Sequence, residues 1–218
     1  MVDVCRDFFE SNRGDKEVCK KLQVLPEAKQ VSWELEPASA HSPGVVANDE
    51  QLCRQVLDPT HFDSVSGTIK PTFFDDASDK GASCHRLGFA SPDSVRAMTV
   101  ARAEAMNVNP PATGPRTAIG YTTFGAEEVR SIRTAPLTPA QEGRRGAAVY
   151  DTALPEDVSH ADVCQLVAGR QEGKSVRAQL WKLAKDRLIR FVEDREATPA
   201  TLADKTAKSC EASPTGAG

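Results

Sequence analysis

The chain has 218 residues, enough for one domain to bury a sizeable core. Its 27 basic and 31 acidic residues leave a formal net charge of −4, which excludes a general pull toward nucleic acid or acidic membranes. Six cysteines, at 5, 19, 53, 84, 164 and 210, form no C-x-x-C pair and fit neither a zinc site nor a compact disulfide framework, so the expectation is reduced thiols in a cytoplasmic protein. The opening MVDVCRDFFESNRGDK is charged and lacks the apolar core of a signal peptide. No stretch approaches the roughly 20 apolar residues of a membrane helix.

Residues 3–25 read as one or two short helices, with Val4, Phe8 and Phe9 in one apolar cluster and Val18, Leu22 and Leu25 in another. Gln30 to Glu36 alternates Val31, Trp33 and Leu35 with polar residues, which predicts a short half-buried strand. The Pro- and Gly-containing stretch 37–48 reads as a linker, so residues 1–48 are expected to be an appendage and 49–196 the main domain. Asp49 to Leu57 fits either a helical turn or a strand leading into Pro59. Thr68 to Phe74 predicts extended structure bent at Pro71, Asp75 to Ala82 a polar loop, and Cys84 to Phe89 a short strand. Ser91-Pro92-Asp93 combines an N-cap, a first-turn proline and an early acid, so a helix should run to about Met106.

Thr117 to Phe124 and Ala147 to Thr152 read as strands from their β-branched and aromatic content. Ala126 to Ile132 predicts a short helix, and so does Ser159 to Val167, with Ser159 as its cap. The clearest signal is Ser175 to Arg195. Val176, Leu180, Leu183, Ala184, Leu188 and Phe191 recur at three- and four-residue spacing, one stripe of an α-helix. Residues 197–218 are rich in Thr, Ala, Pro, Ser and Gly and read as a disordered tail. Strands and helices mix without βα alternation. The predicted fold is α+β, a small mainly antiparallel sheet packed by a long C-terminal amphipathic helix.

Four groups of residues carry candidate chemistry. Arg54, His61 and Asp63 share a turn-rich segment with Phe62 and Phe73. In Ser83-Cys84-His85-Arg86, neighbours on a strand point to opposite faces, so Ser83 and His85 share one while Cys84 would need another histidine as its base. Asp151, His160 and Asp162 are a weak metal-ligand pattern of carboxylates and imidazole, and the acids ahead of His160 equally suit a helix N-terminus. The stretch from Lys174 to Arg195 holds seven basic residues against three acidic ones. That ridge suits a phosphate or an acidic partner, and Lys182, Lys185 and Arg190 are its candidate binding residues. No Walker loop, G-x-G-x-x-G, H-E-x-x-H or G-x-S-x-G element occurs.

Leu52-Cys53-Arg54 before Pro59 and Phe62, then Gly67, Pro71 and Phe73, then His85-Arg86-Leu87, and finally His160-Ala161-Asp162 resemble small bacterial proteins with no established activity, over roughly residues 49–192. Arg54 on an opening strand, followed by the aromatic- and serine-containing stretch Phe73 to Ser83, is also similar to RES-type toxins and other ADP-ribosyltransferase-like folds. That similarity implies NAD bound between small sheets, with Arg54 on a phosphate and His85 on the ribose. It supplies no glycine-rich strand motif and no later catalytic residue. The favoured expectation is a non-enzymatic accessory protein of a bacterial intracellular assembly that docks a protein partner and needs no cofactor. Nucleic acid is the less supported partner. The alternative is an NAD-using enzyme with Arg54 and His85 as its catalytic candidates.

Overall fold

A computed structural model describes residues 4–136, 138 and 142–191. Three short helices open it: α1 (Val4–Ser11), α2 (Val18–Gln23) and α3 (Glu27–Trp33). Strand β1 (Gln51–Asp58) leads to a small hairpin of β2 (Phe62–Asp63) and β3 (Thr68–Ile69), then to kinked 3-10 turns at Pro71–Ser78. Next come β4 (Ala82–Arg86), α4 (Pro92–Asn107), β5 (Thr117–Gly125) and α5 (Ala126–Arg130). The chain continues through β6 (Ala147–Tyr150), β7 (His160–Gln165), α6 (Arg170–Ala184) and β8 (Leu188–Arg190). Six strands form one antiparallel sheet in the order β6-β7-β4-β1-β5-β8. The α+β architecture with an antiparallel sheet is thus present, and α6 packs on that sheet.

The register explains where the core sits. Leu52, Arg54 and Val56 of β1 share a face with Cys84, Val149, Val163 and Phe124, which we call the inner face. Phe73, Phe74 and Ala77 of the 3-10 turns, Val129 of α5, and Val176, Leu180 and Ala184 of α6 cover it. The outer face has two covers. Phe9, Val18, Leu22 and Trp33 of the N-terminal helices lie over Ala148, Tyr150 and Cys164 at the β6–β7 end. Ala90 and Val95, with Met98 of α4, lie over Cys53 and Tyr121 at the β1–β5 end. β1 is central and covered on both sides, so residues 52–57 are all buried and show no alternation.

Several expected elements change type. Gln30 to Glu36 belongs to helix α3 and the turn after it. Its buried residues are Gln30, Trp33 and Glu34, at helical spacing, while Leu35 is 76% exposed. The stretch after Ser159 is strand β7, not a helix, and the extended run expected to continue through Phe74 becomes 3-10 turns from Pro71. The long helix starts five residues earlier than Ser175 and ends at Ala184, after which Leu188 to Arg190 turn back to pair with β5. Its expected end at Arg195, and the tail 197–218, lie outside the described residues. α4 follows its sequence signals closely. Ser91 Oγ accepts from the Ser94 amide at 3.1 Å, and Pro92 opens the first turn.

Candidate functional site

Between the two covers of the outer face lies a column of polar residues on β4 and β7. His85 is the register partner of both Cys53 and His160, and Ser83 is that of Asp162. Opposed residues on antiparallel strands point the same way, so Ser83, His85, His160 and Asp162 share the outer face. The His85 and His160 rings lie 6.4 Å apart, edge to face.

Each histidine has its own acid. His85 Nδ1 is 3.0 Å from Asp157 Oδ2 and 3.3 Å from Ser159 Oγ. Ser159 donates its hydroxyl to Asp157 Oδ1 at 2.5 Å and its amide to the same oxygen at 3.0 Å. Burial raises the Asp157 carboxyl, but the hydrogen bonds from His85 and Ser159 outweigh it and hold the pKa at about 2. Asp157 is therefore an acceptor, and the hydrogen-bond network assigns the imidazole proton to His85 Nδ1. The second cluster surrounds His160. His160 Nδ1 is 3.1 Å from the Thr152 carbonyl, which can only accept, so Nδ1 carries the proton here too. Thr152 donates its hydroxyl to Asp162 Oδ2 at 2.8 Å, and Asp162 Oδ1 stands 4.0 Å from His160 Nε2. His160, Asp162 and Thr152 line a cavity of about 190 Å³ together with residues 12–16, which join α1 to α2.

The sheet separates residues that were candidates for a shared site. Arg54 points to the inner face and His85 to the outer, so no single cleft holds both. Arg54 is 1% exposed and makes a bidentate pair with Asp76 at 2.8 and 2.9 Å, with Ser83 O at 3.2 Å. Its guanidinium lies 4.9 Å from the Phe73 ring centre and 5.3 Å from that of Phe74. Asp151 is likewise on the inner face, because Tyr150, not Asp151, is opposed to Asp162. Its Oδ1 is 3.4 Å from Arg86 Nη1. The trio Asp151, His160 and Asp162 therefore does not converge, and among the described residues no group of three His, Cys, Asp or Glu side chains could hold a metal ion.

His61 is buried, and its Nδ1 accepts from the Leu57 amide at 3.3 Å. Burial, with Arg54 and Arg102 nearby, pushes its pKa down to about 2, so it is neutral. Asp63 caps its own turn through Val65 N and Ser66 Oγ.

The basic ridge is broken up. Arg177 pairs with Asp75 at 3.2 Å, and Arg187 makes a two-pronged contact with Glu128 at 2.6 Å. Lys185 contacts Asp186 at 3.0 Å and lies over Trp181. Lys182 is exposed on α6, while Arg190 is exposed on β8, over the Phe62 ring.

No family model, curated protein or solved structure matches this chain. The geometry must therefore carry the functional reading. The sequence named His85, His160 and Asp162 but not their mutual approach, which depends on strand pairing across about 75 residues of chain. The one local signal was Asp157-Val158-Ser159, a side-chain-capped turn placed just before a strand. Among the described residues no helix is long and apolar enough to cross a membrane.

Proposed function

We propose that the chain works by binding rather than turnover, as an accessory protein that docks a protein partner. One observation carries the reading. A serine, a histidine and an aspartate meet at Ser159, His85 and Asp157, but serine and aspartate both approach Nδ1 of the imidazole. A nucleophile relay needs them on opposite nitrogens, the acid on one and the hydroxyl on the other. Ser159 instead gives its proton to Asp157, a structural bond in a 2% exposed residue. The thiols offer no substitute. The five described cysteines are buried, and burial drives Cys53 up to about 12 and Cys84 higher still.

The docking surface we assign is the corner where α6 meets β8, with exposed Lys182 and Arg190 and half-buried Lys185. Ile189 beside them is 46% exposed on a strand that ends the sheet. Affinity capture with the tagged chain, at low and moderate salt, tests this. A protein should be retained in stoichiometric amount and lost in the triple variant Lys182→Glu, Lys185→Glu, Arg190→Glu. Retention by the triple variant moves the surface elsewhere, and a chain that captures nothing at either salt sinks the accessory role.

A further inference from the structure

The cavity beside His160 has features that protein docking at the far corner does not use. Its lining includes two acceptors, His160 Nε2 and Asp162 Oδ1, set 4.0 Å apart. Both are fixed from behind. The His160 ring is anchored through Nδ1 to Thr152, and the other Asp162 oxygen accepts the Thr152 hydroxyl. Gly81 completes the support. Its φ is +89°, and a Cβ there would lie 3.0 Å from Asp162 Cγ, so the backbone comes close to the carboxylate only because the residue is glycine.

The mouth of the cavity is cationic. Arg13, Lys16 and Lys80 line it, all exposed, and no ion pair joins them to a carboxylate among the described residues. The mouth's own acid, Asp15, is taken by Lys21 at 2.5 Å. Phe9, Val18 and Leu154 make the remaining wall apolar. The surroundings thus select a ligand with an anionic end, a compact body and two adjacent hydrogen-bond donors at the other end. Phosphate suits a cluster of Lys and Arg. Neighbouring hydroxyls on a sugar ring suit a carboxylate oxygen and an imidazole lone pair side by side.

We propose that this cavity binds a small phosphorylated sugar, its phosphate at Arg13, Lys16 and Lys80 and its vicinal hydroxyls at His160 Nε2 and Asp162 Oδ1. The proposal is independent of the protein partner. It needs no reaction, only recognition.

Isothermal titration calorimetry of the full chain with ribose 5-phosphate, ribose and inorganic phosphate is the test. Ribose 5-phosphate should bind at least about tenfold more tightly than either fragment, because only it engages both ends. Asp162→Asn should weaken it about tenfold or more, the scale of one hydrogen bond to a charged group. Lys16→Glu with Lys80→Glu should weaken it similarly and flatten its salt dependence. Circular dichroism of each variant checks the fold. Leu154→Trp, which fills the cavity and replaces none of its polar groups, should abolish binding and so covers the case in which Asp162→Asn does not fold. Absence of binding at millimolar ribose 5-phosphate overturns the proposal. So does equal affinity for inorganic phosphate, or an affinity that Leu154→Trp leaves unchanged.

Discussion

Removing Asp76 should damage the protein far more than removing the arginine it holds. Arg54 is 1% exposed, lies against Phe73 and Phe74, and among the described residues pairs with one carboxylate, that of Asp76. Asp76→Ala leaves that guanidinium charged and buried with the Ser83 carbonyl as its remaining polar partner. Stranding one member of a buried pair costs about 3–5 kcal/mol. A domain of this size has roughly 5–15 kcal/mol in total, so the loss is a large share, and Tm should fall by roughly 6–20 °C. The reverse substitution is milder. The Asp76 side chain is 22% exposed and can turn to water, so Arg54→Met should cost under about 2 kcal/mol. The double variant Arg54→Met, Asp76→Ala should be more stable than Asp76→Ala alone, because no charge is stranded. Urea denaturation followed by circular dichroism measures all three. If Arg54→Met proves the costlier single change, or Asp76→Ala costs less than about 1 kcal/mol, the guanidinium is not held as described.

Asp157 should stabilise the fold above its unfolded pKa of about 3.9, and that contribution should fade as pH falls toward about 2, because the folded carboxyl is held low. Chemical denaturation between pH 5 and 2 should show this loss, and Asp157→Asn should flatten it. Gly120→Ala would place a Cβ 2.1 Å from the Ile189 carbonyl oxygen, so it should detach β8; hydrogen exchange at Ile189 and Phe191 should then approach the unprotected rate while β1 stays protected. In a Cys210→Ser background the five remaining thiols, all buried, should react with a disulfide reagent only as fast as the chain opens. A fast-reacting thiol in the folded protein would contradict that burial.

The parts of the fold that the sequence announced are those decided locally. Ser91, Pro92 and Asp93 mark the start of α4 because capping chemistry lies within one turn. The stripe Val176, Leu180, Ala184 marks α6 because one face meets one core. Leu188 continues the four-residue spacing yet begins a strand, since a single apolar residue at that distance fits either element. Val31, Trp33 and Leu35 imitate strand alternation, but only Trp33 is buried; the packing of Phe8 against Trp33 selects the helix. β7 alternates only from His160 to Val163, too short a run to outweigh the helix-cap signal of Ser159. The same limit applies to the site. His160 and Asp162 stood out as residue types, whereas Arg13, Lys16 and Lys80 were ordinary surface cations until the fold brought them to one opening.

The strand order also has a consequence for the order of synthesis. β6 leaves the ribosome before β7, yet among the described residues β7 is the one strand that pairs with it. The N-terminal helices, made much earlier, already hold its contacts: Glu34 accepts from the Val149 amide at 2.7 Å, and the Tyr150 hydroxyl donates to the Gln30 carbonyl at 2.8 Å. These two bonds join β6 to parts of the chain that are complete before β6 itself is made. Residues made early in synthesis thus hold β6 from its open side, and that contact persists in the finished sheet.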